Sequence, residues 1–213
     1  MRKPLIVLAI FVAVFLLHFF TYNLRSEVTR DLEVYGLSLQ EISLLKDGDL
    51  ILRHGYGLVS DGIVQTLNEK YHVSHVGILV QCDTCEYGFK VIHCVSQSLY
   101  PVDGVQDQSL SQFFWDSQKN SIIVVRFKLA NDSTRHLITK KAKEYLDRHV
   151  PFDHEFNILD TNSLYCSELP WLVFKHVFHV DIFGDINPKS LDHLKFSHFW
   201  DPRFFDVIIN HQK

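Results

Sequence analysis

The sequence predicts an α+β domain. Short runs rich in β-branched residues fall in the first half, at Leu50–Arg53, Ser74–Val80, Phe89–Val95 and Ser121–Phe127. Helical patterns dominate the second half, from the capping cluster Asn131-Asp132-Ser133 onward. Between the second and third runs, Asp83 to Gly88 turns the chain, so those strands pair antiparallel. Strands first and helices later give α+β rather than alternating α/β.

Arg2 and Lys3 precede an apolar run from Pro4 to Phe20. At about 1.5 Å per residue it spans most of a hydrocarbon core of about 30 Å. Thr21-Tyr22-Asn23-Leu24-Arg25 follows, without a small-x-small cleavage site. Residues 1–22 are therefore expected to be an uncleaved signal anchor, a transmembrane helix with its basic end in the cytoplasm. Residues 23–44 read as a linker with a short helix, and 45–213 as a single domain with a sizeable core. The chain of 213 residues carries 21 Lys and Arg against 25 Asp and Glu, a formal net charge of −4. With no basic stripe, this balance argues against nucleic acid as a partner.

Within the domain, Asp47-Gly48-Asp49 is a turn before the Leu50–Arg53 strand, and His54 to Gly57 is a loop. Ser60 or Asp61 caps a helix to about Leu67. After the hairpin, Leu110–Trp115 is a short helix, and the Asn131 cluster caps a long amphipathic helix to about Arg148. Asn187-Pro188 opens another short helix to Leu194, and Arg203–Ile209 closes the sheet. Of the four cysteines, Cys82 and Cys85 flank the hairpin turn and are expected to pair in an oxidising compartment. No second ligand pair at zinc spacing exists beyond Cys94, so neither metal nor cofactor is expected.

Asn162 to Phe174 organises the rest. Proline inside a helix loses a hydrogen bond and clashes with the carbonyl four residues back, so Pro170 belongs in a first turn. The helix then starts at about Cys166 or Ser167. Cys166 sits among free N–H groups at the positive end of a dipole, which favours thiolate and predicts a pKa below about 8.5. The competing reading is a buried, space-filling cysteine, the commoner state of a free thiol. Thirteen histidines make any one of them weak evidence. His176 and His179 lie about three turns beyond Cys166 on the same helix, too far to activate it. His75 opens a strand, and Gly77 permits close approach of a neighbour. With a hairpin centred near Thr84, His75 and His93 stand opposite each other on one face. For each, a hydrogen-bonded strand histidine is the alternative, and the residues alone favour it.

Gly48-Asp49-Leu50-Ile51, then Ser74-His75-Val76-Gly77-Ile78, then Tyr165-Cys166-Ser167-Glu168-Leu169 resembles the permuted papain-like amidases of the YiiX/YebB type, among the NlpC-related cysteine hydrolases. Lecithin:retinol acyltransferase is similar in that order. The likeness spans about Leu45 to Phe178, and Phe152-Asp153-His154-Glu155-Phe156 looks like the aromatic-Asp-x-x-Phe element that precedes the cysteine. The resemblance implies a circularly permuted papain-like fold, an antiparallel sheet or barrel packed on a cysteine-bearing helix. It implies Cys166 as nucleophile and His75 as base. The third member is often a glutamate; here the position holds His93, as in the acyltransferase relatives. The Cys166 N–H is expected as one oxyanion donor and Tyr165 as the other. The implied function is a membrane-anchored amide or ester hydrolase acting through a thioester on a cell-wall peptide or an acylated lipid. Its place would be the bacterial inner membrane, with the domain on the periplasmic side. A lipid acyltransferase, a catalytically dead binding module and a metal-binding protein are the alternatives.

Overall fold

The computed structural model describes residues 2–32, 35–97, 102–185 and 187–213. Six strands form one antiparallel sheet: β1 (Leu50–Arg53), β2 (His75–Gln81), β3 (Phe89–Val95), β4 (Gly104–Ser109), β5 (Ile123–Phe127) and β6 (Phe205–Asn210). Their order is β4-β3-β2-β1-β5-β6. The helices are α1 (Arg2–Leu32), α2 (Leu39–Ile42), α3 (Leu58–Leu67), α4 (Leu110–Trp115), α5 (Arg135–Asp147) and α6 (Glu168–Phe178).

Both faces of the sheet are covered, which is why Leu50-Ile51-Leu52 is apolar without alternation. Leu50, Leu52, Val76, Ile78 and Ile92 pack with α5 and α6. Ile51, Leu79, Val91 and Val124 pack with Phe113 and Phe114 of α4. In α6, Phe174 stacks on Phe127 of β5 at 4.4 Å and meets Phe205 of β6 edge-on at 5.6 Å. Phe174 is fully buried, so truncation to Ala removes about 3–5 kcal/mol. Pro170 is the third residue of α6, inside the first turn as its chemistry requires. The helix ends where His179 turns left-handed at φ 56°.

Asp49, fully buried, ties the sheet to the helices. It accepts hydrogen bonds from Arg126 Nε and Nη2 of β5 at 2.8 and 2.7 Å, and lies 3.6 Å from Arg135 of α5. A lone buried carboxylate would be costly; two guanidinium groups and the Lys46 N–H, at 2.8 Å, offset its desolvation.

Several expectations are corrected. β4 escapes the sequence reading because Gln106, Asp107 and Gln108 break the apolar pattern; it is an edge strand whose two glutamines are buried. Between Asn187 and Leu194 there is only a single 3-10 turn, Asp192–Leu194. α1 does not end at residue 22 but runs on to Leu32, where Tyr22 donates to Asp61 and Arg30 lies 4.0 Å over the Trp115 ring. Among the described residues no helix is long and apolar enough to cross a membrane, so the transmembrane anchor is not supported. The described side chains begin at Val7, and Arg2, Lys3 and part of the apolar run lie outside them. The Cys82–Cys85 disulfide is present, with Cα atoms 5.3 Å apart.

Candidate active site

Cys166 stands two residues before α6, with Ser167 as the N-cap. The N–H groups of Ser167 and of Cys166 itself are directed at the sulfur and favour thiolate. Burial opposes them and wins, pushing the thiol up to about 12. The expected low pKa is thus corrected: desolvation in an apolar setting outweighs two N–H groups and the distant charge of Arg53.

The loop that presents Cys166 is fixed from two sides. Cys94 of β3 donates its thiol to the Leu164 carbonyl at 2.8 Å. Phe152 pairs with Leu164 in a parallel bridge, and Asp153 N–H donates to Leu164 O at 2.9 Å. The Asp153 carboxylate accepts from the N–H groups of Glu155 at 2.8 Å and Asn157 at 2.6 Å, shaping the turn that carries Phe156 beside Cys166.

His75 and His93 meet, with Nε2 of the first 2.8 Å from Nδ1 of the second. They are not directly opposite, because the register pairs His93 with Gly77. The pair is diagonal, within reach of two imidazoles. A Cβ on residue 77 would stand 2.3 Å from Val91 Cγ1 and 3.3 Å from His93 Cβ, so only glycine leaves this space open. Phe113 packs against both rings, at centroid distances of 6.1 and 6.2 Å. Arg53, opposite His75 in the ladder, lies 4.8 Å over the same phenyl ring and donates to the Asp116 carbonyl. Burial, then neighbouring positive charge, holds both imidazoles low: His75 well below its ordinary range and His93 at about 3. The sequence reading passes over Arg53; its one signal is an arginine closing an all-apolar strand.

Cys166 and His75 line neighbouring cavities. Cys166 belongs to an apolar one of about 310 Å³, walled by Leu58, Val59, Ile63, Phe156 and Phe196. His75 belongs to a polar one of about 100 Å³ with Arg53, Ser60 and Asp116. Ser74 and Ile63 line both. No hydrogen bond joins Sγ to the imidazole, a common state of such pairs without substrate. Tyr165 is buried against Cys166, but its hydroxyl donates to His193 O at 3.4 Å and its N–H to Glu168 Oε2 at 3.4 Å. Both of its donors are engaged, which argues against the oxyanion role. Glu168 is fully buried, and burial raises its carboxyl to about 8. His176 is bound to Tyr145 OH at 2.9 Å in the last turn of α6, away from the site.

A cysteine before a helix, supplied by a chain whose histidine-bearing sheet comes earlier, defines a papain-like cysteine hydrolase of permuted order. Residues 44–196 match the family described as permuted papain-like amidase enzyme, YaeF/YiiX, C92 family. The chain belongs to that family and is a cysteine amidase by membership. A solved relative in fold is the metalloprotein YiiX from Escherichia coli O157:H7, 17% identical with a TM-score of 0.59, the match covering 78% of this chain and 97% of that one. No curated protein matches. Among the described residues no group of three or more His, Cys, Asp or Glu is arranged to hold a metal ion.

Proposed function

We propose that the chain hydrolyses an amide through a thioester on Cys166, with His75 as base and His93 orienting it. The observation that carries this reading is the shared wall of Ser74 and Ile63, which line both the cavity of the thiol and that of the imidazole. His93 occupies His75 Nε2, leaving Nδ1 for the thiol. At rest both partners are neutral, so the base is available without losing a proton first. Sγ attacks the carbonyl carbon as its proton passes to Nδ1, and the N–H groups of Cys166 and Ser167 receive the oxyanion. The C–N bond breaks, and the amine leaves with the proton from His75. Water, deprotonated by His75, then splits the thioester to carboxylic acid and thiol.

The site reading is tested by labelling with an acyloxymethyl ketone and peptide mapping. The label is expected on Cys166, retained in Cys94→Ser and absent in Cys166→Ser. Undiminished labelling and hydrolysis by Cys166→Ser would sink the mechanism.

The apolar cavity favours a second reading, an acyl chain rather than a peptide beside the nucleophile, with hydrolysis or transfer to a lipid as the outcome. Location belongs to the same proposal, on the extracytoplasmic side of a bacterial inner membrane. The Cys82–Cys85 disulfide supports an oxidising compartment, and exposed Val7, Phe11, Phe15 and Phe20 support contact with lipid. Fractionation of cells expressing the full chain tests this; recovery in the cytosolic fraction would overturn it.

A further inference from the structure

Two cavities share Ser74 and Ile63 as wall residues, one beside each partner of the proposed pair. The apolar one beside Cys166 continues outward. Leu58 and Val59 of α3 line it and also line a groove with Phe19, Phe20 and Leu24 of α1. Asn23, Ser26, Glu27 and Arg30 line that groove as well, so an acyl chain on the thiol would follow its Leu58, Val59, Phe19, Phe20 and Leu24 side toward the first helix. The polar cavity beside His75 is lined by two arginines, Arg53 and Arg30, with the hydroxyl residues Tyr56, Ser60 and Ser74. Asp116 is the acid among its lining residues; its carboxylate accepts from Gln108 Nε2 at 2.7 Å and Gln112 Nε2 at 3.4 Å and its carbonyl from Arg53, so two guanidinium charges stand against one carboxylate. Arg30 Nε is buried without a hydrogen bond among the described residues, its nearest acid being Asp31 at 3.8 Å. A volume of about 100 Å³ has room for several waters, hence for a small anionic group. Arg53 is buried and Arg30 half-buried over the Trp115 ring, and guanidinium groups recognise carboxylate or phosphate.

From the Arg30–Arg53 cavity on the imidazole side and the apolar cavity on the thiol side, we infer that the substrate is an anionic acyl amide. Its acyl chain lies along Leu58, Val59 and Ile63, and its leaving amine carries a carboxylate or phosphate to the two arginines. This deepens the proposed function and rests on it, because the base must stand on the side from which the amine departs. The anion is thereby selected on the leaving group and not on the acyl group.

The test uses the full chain and the concentration of amide that halves acyloxymethyl ketone labelling of Cys166. The competitors are N-dodecanoylglycine, N-dodecanoyl-phosphoethanolamine, uncharged N-dodecanoylethanolamine and N-acetylglycine. At least one anionic dodecanoyl amide should compete at tenfold lower concentration than the uncharged one and than N-acetylglycine; which one does so separates carboxylate from phosphate. Arg30→Gln, a change on a partly exposed helix, and Arg53→Gln should each cut that advantage at least fivefold. Val59→Asp should weaken every dodecanoyl amide alike. Equal competition by charged and uncharged amides, or an advantage that survives both arginine changes, overturns the inference while leaving Cys166 as nucleophile. Failure of Cys166 to label at all overturns the function itself, and the inference with it.

Discussion

His75 Nε2 lies 2.8 Å from His93 Nδ1, although the residue facing His93 across the ladder is Gly77. The contact is a diagonal one, and it makes His93 the partner of His75 Nε2, the nitrogen not assigned to the thiol in the proposed mechanism. His75→Ala is expected to slow labelling of Cys166 and hydrolysis by about 10²–10⁴-fold, the usual worth of a general base. His93→Ala should cost less, and His93→Asn, which keeps a hydrogen-bonding group, less again. If His93→Ala proves the more damaging change, the two roles are assigned the wrong way round.

Gly77→Ala should damage the same contact from a distance. The added methyl meets Val91 Cγ1 at 2.3 Å in a closely packed interior. Overpacking of this kind costs about 1–3 kcal/mol. A lower Tm is expected, with partial recovery in the double variant Gly77→Ala/Val91→Ala, which removes the clashing methyl. An unchanged Tm in the single variant would mean that the sheet yields at this point.

Burial holds the Cys166 thiol up at about 12, so thiolate is scarce at neutral pH. Alkylation of the free protein by iodoacetamide should rise about tenfold per pH unit from 7 to 10 without a plateau. The sign follows from the acid's direction: raising pH populates the nucleophilic form. A plateau below pH 8 would indicate a resting thiolate–imidazolium pair instead.

Glu168 is raised from an unfolded value of 4.5 to about 8 by burial. Between those values the folded chain binds more protons than the unfolded chain, so stability falls as pH rises from 4.5 through 8. Its contribution is fully present below 4.5 and lost above 8. Glu168→Gln removes the charge while keeping the shape, and should flatten this part of the Tm–pH curve. A wild-type Tm that rises from pH 5 to pH 8, with the same slope in the variant, would show that Glu168 does not govern it.

The elements with strong periodicity or a special residue were legible. Pro170 placed the start of α6 within two residues, the β-branched runs marked four of the six strands, and Arg203–Ile209 marked the one that closes the sheet. β4 was not legible because an edge strand tolerates glutamines that a local reading scores as loop. The hairpin register was missed by two residues because the turn at Cys82–Gly88 holds a disulfide and a 3-10 turn, whose geometry spacing alone does not show. Cys166, His75 and His93 stood out through motif order. Arg53 and Phe113 did not, because their relevance comes from tertiary contacts with the imidazoles. The thiol's raised pKa was invisible for the same reason: the helix start is written locally, but desolvation depends on walls supplied by α3 and the segment around Phe196.

The cross-strand histidine contact spans only 18 residues of chain, whereas the Cys94 thiol reaches Leu164 across 70. Contacts of short sequence separation form at little loop-closure cost and those of long separation later. A growing or partly folded chain is therefore expected to assemble its base before its nucleophile has been put in place. Until the distant segment docks, the molecule holds a paired imidazole with nothing to activate, and so carries no chemistry. Permutation of chain order would in this way become an order of events, with reactivity as the last property the fold acquires.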